Sequence, residues 1–302
     1  MGLGQYRYDP IFNTYISDPN GAFISYTIPT GKRDPNTVIE GSQKFTIDLG
    51  KISGFPNIII RGNNRLDYRG LGIEIKKIVQ PNITDSLSTL SRLNSRLEMI
   101  YYGKNRFRSW IDNQQALNGL DPRGNDVDQS NEFGLEINQT LSPLITIKNS
   151  GQFRKKYVES TVSNLRNRDV KGWWNEIQLQ VKLSESLDFD LGLMGGFDSG
   201  NQQGKPFSSQ AYGLLLNGRF FFKKTGRFQS QISWVNAAEK NKLPYLPPEA
   251  LNGFPVGTSF RSNTRLQYFL NRSVSMIFTL NTIDDSRYDN FITFRGEIRA
   301  HF

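Results

Sequence analysis

An all-β chain folded as an antiparallel up-and-down barrel of about 12 strands, within a range of roughly 10 to 14, is the architecture the sequence predicts. Three observations predict it. From about residue 131 onward, apolar and polar residues alternate with a period of two, the period of a strand with two unlike faces. The connections between these runs are sorted by length, tight ones taking turns with long polar ones. Several of the runs exceed the usual soluble strand and are long enough to cross a bilayer when tilted.

The elements follow in order. Residues 1–38 differ from the rest and read as a short β-hairpin and linker, with Asp18-Pro19-Asn20-Gly21 as its turn, leading out of an upstream soluble region. Residues 39–302 read as the barrel. Phe45, Ile47 and Leu49 alternate with Thr46 and Asp48, and Asn57 to Ile78 reads as a long strand interrupted by Gly62 and Gly70. Leu93 to Tyr102 reads as a strand, although Leu87 to Leu97 also fits a short amphipathic helix. The polar stretch 109–130, with Asp121-Pro122-Arg123-Gly124 inside it, reads as a loop. The regular part then begins with Phe133, Leu135, Ile137 and Leu141 set against Glu132, Glu136, Asn138 and Thr140. Trp173 to Leu183, Leu187 to Phe197, Tyr212 to Phe222, Phe228 to Trp234, Thr264 to Leu270 and Val274 to Leu280 repeat the rule. Ser142-Pro143, Ser184-Glu185-Ser186, Lys224-Thr225-Gly226 and Asn271-Arg272-Ser273 are the expected tight turns, and 159–170, 199–208 and 238–257 the expected long loops.

Composition narrows the function classes. The 302 residues include 37 Lys and Arg against 28 Asp and Glu, a formal charge of +9, with 37% hydrophobic residues and a mean hydropathy of −0.50. No run of about 18 apolar residues exists, so helical spans are not expected. A barrel tolerates such polarity because only one face of each strand must be apolar. The absence of cysteine rules out disulfides and thiolate metal sites. One histidine, His301, leaves no His-based triad and reads as a solvated strand residue. The basic residues are scattered, and Arg154-Lys155-Lys156 reads as a solvated strand end, so nucleic acid is not an expected partner. No phosphate loop, nucleotide fingerprint or metal-ligand spacing appears. No cofactor and no enzymatic activity are expected.

Charged residues at inward-facing strand positions are the candidates for a wet interior, because a dry one would leave them unpaired at about 1–3 kcal/mol each. These are Glu176, Lys182, Asp188, Asp190, Arg219, Arg261, Arg265, Arg295, Glu297 and Arg299. Asp188 with Asp190 and Glu132 with Glu136 fit ion-pair networks with the neighbouring bases better than an acid and nucleophile pair. Arg261, Arg265, Arg295 and Arg299 would favour anions locally if the interior is open. Trp173, Tyr212, Trp234, Tyr268 and Tyr288 fall near strand ends and are candidates for the aromatic girdles of a membrane–water interface. The loop containing Leu243-Pro244-Tyr245-Leu246-Pro247-Pro248 and Gly253-Phe254-Pro255 is unusually apolar; it folds over the barrel mouth, contacts a partner or packs on itself.

The last stretch carries a family resemblance. Ile292, Phe294, Gly296, Ile298 and Ala300 alternate with Thr293, Arg295, Glu297, Arg299 and His301, and the chain ends on Phe302. From Tyr245 to Phe302 the sequence resembles the carboxy-terminal strands of bacterial outer-membrane β-barrel proteins of the Bacteroidota type. The segment with Phe294, Ile298 and Phe302 is similar to the signal read by the barrel-assembly machinery. It differs in placing Gly296 one residue early and the small Ala300 where a larger residue is usual. The resemblance implies location in the cell outer membrane, contact with membrane lipid and lipopolysaccharide, and a role as anchor or pore of a larger surface or secretion-related protein. Upstream domains or other surface proteins are then further partners. Met1 is followed by strand-like residues rather than a secretory signal, so a longer parent chain is expected. The competing expectation is a soluble, secreted, adhesion-like all-β binding module.

Overall fold

The computed structural model describes all residues except 1–3, 11–12, 25–35, 53–56, 72–87, 122, 223–224, 242, 244, 272 and 301–302. The chain forms two compact units, Met1–Asn36 and Thr37–Phe302. The first holds β1 (Gly4–Asp9) and β2 (Thr14–Gly21), an antiparallel pair. Its turn lies between Asp9 and Thr14. The Asp-Pro-Asn-Gly segment expected to turn lies inside β2, where Gly21 stands against the Tyr6 backbone with no room for a side chain.

The second unit is one antiparallel sheet of thirteen strands in sequence order. They are β3 (Thr37–Asp48), β4 (Ile58–Gly70), β5 (Ser88–Tyr102), β6 (Asn105–Asn118), β7 (Asp126–Ser142), β8 (Ile145–Ser160), β9 (Arg168–Lys182), β10 (Leu187–Gln202), β11 (Lys205–Phe222), β12 (Gly226–Glu239), β13 (Gly257–Phe269), β14 (Val274–Asp285) and β15 (Tyr288–Ala300). A four-residue helix, α1 (Leu49–Ile52), lies between β3 and β4. The up-and-down order and antiparallel pairing are as expected, whereas the count is odd. β3 and β15 therefore run in the same direction, and among the described residues no ladder joins them. His301, Phe302 and residues 72–78 of the long strand expected over 57–78 lie outside the described residues.

Three local expectations change. Residues 109–130 are not a loop, because β6 and β7 run through them and leave only 119–125 as the connection. The amphipathic-helix option over 87–97 gives way to β5: Leu90 lies on one face of the sheet, and Leu93 and Leu97 on the other. The expected loop 199–208 is a tight hairpin. Gln203 and Gly204 both have positive φ (54° and 78°), the backbone of the two-residue turn that matches strand twist.

Away from the few ladder irregularities, the registers assign the strand side chains of this unit to one of two faces. The charged side chains of β3 to β15 that the ladders place fall on one face, except near the ends that follow or precede the 161–167, 240–256 and 286–287 connections, where Lys155, Glu159, Asp169, Lys171 and Asp284 lie on the other and Asp289 sits at an irregularity with no ladder partner. The opposite face is apolar in register: Trp173 beside Phe197, Ile177 beside Leu193 beside Leu214 beside Trp234, and Phe278 and Leu280 beside Gly296 and Phe294. Much of it is open, with Leu193 and Tyr212 60% exposed and Ile298 73%.

Candidate functional site

Among the described residues, one connection covers part of the charged face. The connection 240–256 between β12 and β13 lies on it and buries a core of Trp174, Met194, Ala211, Leu215, Val235 and Ala237 beneath Leu251 and Phe254. Ala250 packs beside Val170 and Phe207. Phe254 stacks on Trp174 at 6.1 Å between ring centroids, with an interplanar angle of 11°. The apolar loop packs on the charged face of its own sheet, an arrangement that differs from the self-packed loop among the expectations.

Charged groups pin its tip. Leu251 and Asn252 have left-handed backbones (φ 48° and 54°) without being glycine, a conformation that costs about 1–2 kcal/mol per residue. The anchors around them offset it. The Leu251 backbone N–H donates to Asp198 Oδ2 at 2.5 Å, and Arg154 Nη2 donates to the same oxygen at 2.7 Å. Arg154 also donates to Asn252 Oδ1. Glu249 accepts from Arg168 Nε and Nη2 at 2.9 and 2.8 Å, with Lys156 Nζ 3.6 Å away. Burial works against the Glu249 charge, but the Arg168 hydrogen bonds prevail and hold its carboxyl below the ordinary value. On the other side, Arg261 Nη2 and Arg287 Nη2 donate to the Gly253 carbonyl at 2.8 and 3.2 Å, and Arg261 lies 4.1 Å from the Phe254 ring centroid.

Arg154 and Asp198 sit on β8 and β10 and meet across β9. Gly172 is the register partner of both, and a Cβ there would lie 1.8 Å from Asp198 Oδ1. The missing side chain is what lets the pair close. Asn252 and Gly253, adjacent in the chain, thus bond to β8 and β13, strands that would stand about 24 Å apart on a flat sheet. The sheet therefore curls with its charged face inward. The other half of this face holds a cavity of about 760 Å³ lined by residues of β3 to β9, among them Arg65, Arg69, Arg92 and Arg168.

The residues singled out in the sequence divide as follows. Asp188 and Asp190 lie 3.9 and 3.6 Å from Arg219, a network as expected. Glu136 pairs with Lys148 at 3.7 Å, and Glu132 accepts from Trp110 Nε1 at 2.8 Å. Glu176 accepts from Gln178, and Lys182 is exposed. Arg261 is held by Asp285 and the loop, and Arg295 and Arg299 both pair with Glu297 at 2.8 Å. Arg265 lies on the same face, half-buried. Arg154 and Lys156, expected to be solvated, turn inward to the loop, while Lys155 faces outward. Trp173, Tyr212 and Trp234 are exposed on the apolar face in the half nearer the 240–256 loop. Tyr268 is at the opposite end of β13, and Tyr288 at the start of β15. Asp198, Arg168 and Glu249 carry the loop and were not singled out by sequence. The available signal was adjacent apolar residues, Trp173-Trp174, Leu214-Leu215-Leu216 and Trp234-Val235, which break the period of two because both faces there are covered or apolar.

No protein-family model matches the chain, and no curated protein matches it. Among solved structures it is similar to that of the NanC porin, at TM-score 0.37 and 13% identity, over 70% of this chain and 94% of the porin. A likeness that distant carries no argument about activity or solute. The functional reading rests on the two faces of the sheet.

Proposed function

We propose that the second unit is an outer-membrane β-barrel serving as the anchor or pore of a larger surface or secretion-related protein. The observation that carries this reading is the separation of charge across the thirteen strands, broken only near the ends of β8, β9, β14 and β15. One face keeps its charges, and the other exposes aromatic and aliphatic side chains in register. Soluble monomers rarely expose an apolar patch beyond a few hundred Å². Three of the apolar spans, Trp173 to Leu183, Leu187 to Phe197 and Tyr212 to Phe222, are each ten steps along the chain. That is ~34 Å of strand, or ~24 Å of height at a tilt near 45°, close to the apolar band of such barrels.

The girdle reading draws on the same geometry. Passing from Trp173 to Tyr212 to Trp234, the register drifts four residues over three strand spacings. The line joining them lies about 45° from the strand perpendicular, in the range of barrel strand tilts. Lipid and lipopolysaccharide would meet this face, and the assembly machinery would read the terminal strand with Phe294, Ile298 and Phe302.

Heat-modifiable gel migration in detergent, followed by planar-bilayer conductance, tests the proposal. A heat shift with conductance is expected of a pore, and a shift without conductance of an anchor. A chain that is monomeric without detergent and shows no shift overturns the membrane reading and favours the soluble binding module.

A further inference from the structure

The arginines that the sequence marks for anion preference are largely engaged, Arg261 by Asp285 and the loop, Arg295 and Arg299 by Glu297. Among the described residues, Arg265 is the one of these four without an ion pair within 4.0 Å, and the largest group of unpaired bases lies elsewhere. On the charged face of β3 to β6, Lys44, Arg61, Arg65, Arg69, Arg92, Arg96, Arg106 and Arg108 face Glu40, Asp48, Asp67, Glu98 and Asp112. Four of the five acids are taken: Asp48 by Lys51, Asp67 by Arg65, Asp112 by Arg96 and Glu98 by Arg108. Among the described residues, Lys44, Arg61, Arg69, Arg92 and Arg106 make no ion pair within 4.0 Å, Arg106 lying over the Tyr102 ring, whereas Glu40 is the one acid of this wall left without a base. Arg69 and Arg92 lie diagonal to each other on adjacent strands and both line the 760 Å³ cavity.

The inward loop occupies the face from β8 to β13, which leaves β3 to β7 and β14 to β15 as the uncovered parts of the charged face, and of these β3 to β6 carry the bases without ion-pair partners. We infer that this wall selects for anions, and that the cavity at Arg69 and Arg92 is a docking site for small anionic solutes bearing a carboxylate or phosphate. Exposed guanidiniums without acidic partners, gathered on one wall, raise the local concentration of anions, and each presents a planar fork that matches an oxyanion group. The apolar wall of the same cavity, Val38, Leu90 and Val158, would hold the body of an organic anion.

This inference rests on the pore reading. The experiment is the reversal potential of the full chain in planar bilayers under a KCl gradient, with citrate added as the organic anion. The wild type should favour chloride over potassium, citrate should reduce the chloride current, and selectivity should fall between 0.1 M and 1 M salt through screening. Arg69→Gln with Arg92→Gln should lower the chloride-to-potassium permeability ratio by roughly threefold and abolish the citrate effect. Lys171→Gln, on the other face, should leave both unchanged. Absence of any wild-type conductance overturns the pore reading beneath. Conductance that is cation-selective, unselective or insensitive to salt overturns the anion wall, as does a folded double variant that behaves as wild type. If the double variant does not insert, the wild-type selectivity, salt series and citrate effect decide the matter alone.

Discussion

The charged face is built in two ways. Under the loop, strands β9 to β12 turn Trp174, Met194, Leu215 and Val235 toward it and bury them. Along β3 to β6 the same face carries arginines and stays open. The outer side of β9 to β12 is apolar over long runs, whereas that of β3 to β6 is interrupted by Gln43, Asn64, Ser95 and Asn113, and the inner sides differ more sharply still. A strand of a curled sheet can be amphipathic against water or apolar on both sides against its own loop, and the second arrangement needs an anchor that holds the loop in place.

That anchor is where the comparison breaks most easily. Asp198 is 1% exposed and binds both Arg154 and the Leu251 N–H. Asp198→Ala removes the carboxylate that the half-buried Arg154 guanidinium and the Leu251 N–H share, so a loss of about 3 kcal/mol is expected, read from denaturant titration in detergent micelles. Conductance should rise with it as the loop leaves the face. Gly172→Ala should act in the same direction, because its Cβ meets Asp198 Oδ1. A variant at Asp198 as stable as the wild type would remove the anchor from this account.

The two sides of the sheet give the next contrast. Leu193 lies mid-band on the apolar face, and Leu193→Arg should cost about 2–4 kcal/mol in lipid, the penalty for a cation near the midplane of a barrel exterior. Gln178→Arg on the charged face should cost little. Equal penalties would mean that the faces are not lipid and water. A subtler contrast compares neighbours. Leu215→Ala beneath the loop empties a packed site and should cost about 2–5 kcal/mol. Leu214→Ala, half-exposed on the other side, should cost less in the same unfolding assay.

How much of this the sequence disclosed depended on what each side chain faces. Trp173, Ile177 and Leu179, or Leu191, Leu193 and Phe197, announce their strands because one neighbour is apolar and the next polar. The half of β6 beyond Ile111 does not. There Asn113 faces outward, donating to Asn131 Oδ1 at 2.5 Å, and Gln114 faces inward, so both faces are polar and the period vanishes. The ends of β10 and β11 fail for the same reason: Ser199 to Gln202 has nothing apolar to alternate, and backbone pairing carries the hairpin. The loop's destination was hidden differently. Its apolar residues were visible, but their partners are spread over β8 to β13, and Arg154 meets Asp198 only because Gly172 leaves room. Such a contact joins residues by fold, with no spacing to read.

The smallest expected effect sharpens the comparison by loosening the loop without emptying its core. Glu249 is held charged by Arg168 and Lys156, with its carboxyl below the ordinary glutamate value of 4.5. A depressed value in the folded state means that the charged form is the one docking favours. The contribution is complete above the ordinary range and is lost as pH falls through the depressed value. The loop should therefore stay seated at pH 5 and loosen only in stronger acid, an order of events readable from Trp174 fluorescence under Phe254 or from proteolysis near the exposed Tyr245. Glu249→Gln should remove that acid transition and cost about 1 kcal/mol at neutral pH, the size of an ion pair that solvent still reaches. If loosening instead begins near pH 6, or persists unchanged in the Gln variant, the seat of the loop is the apolar core and Asp198 alone, and Glu249 is only a surface partner of Arg168.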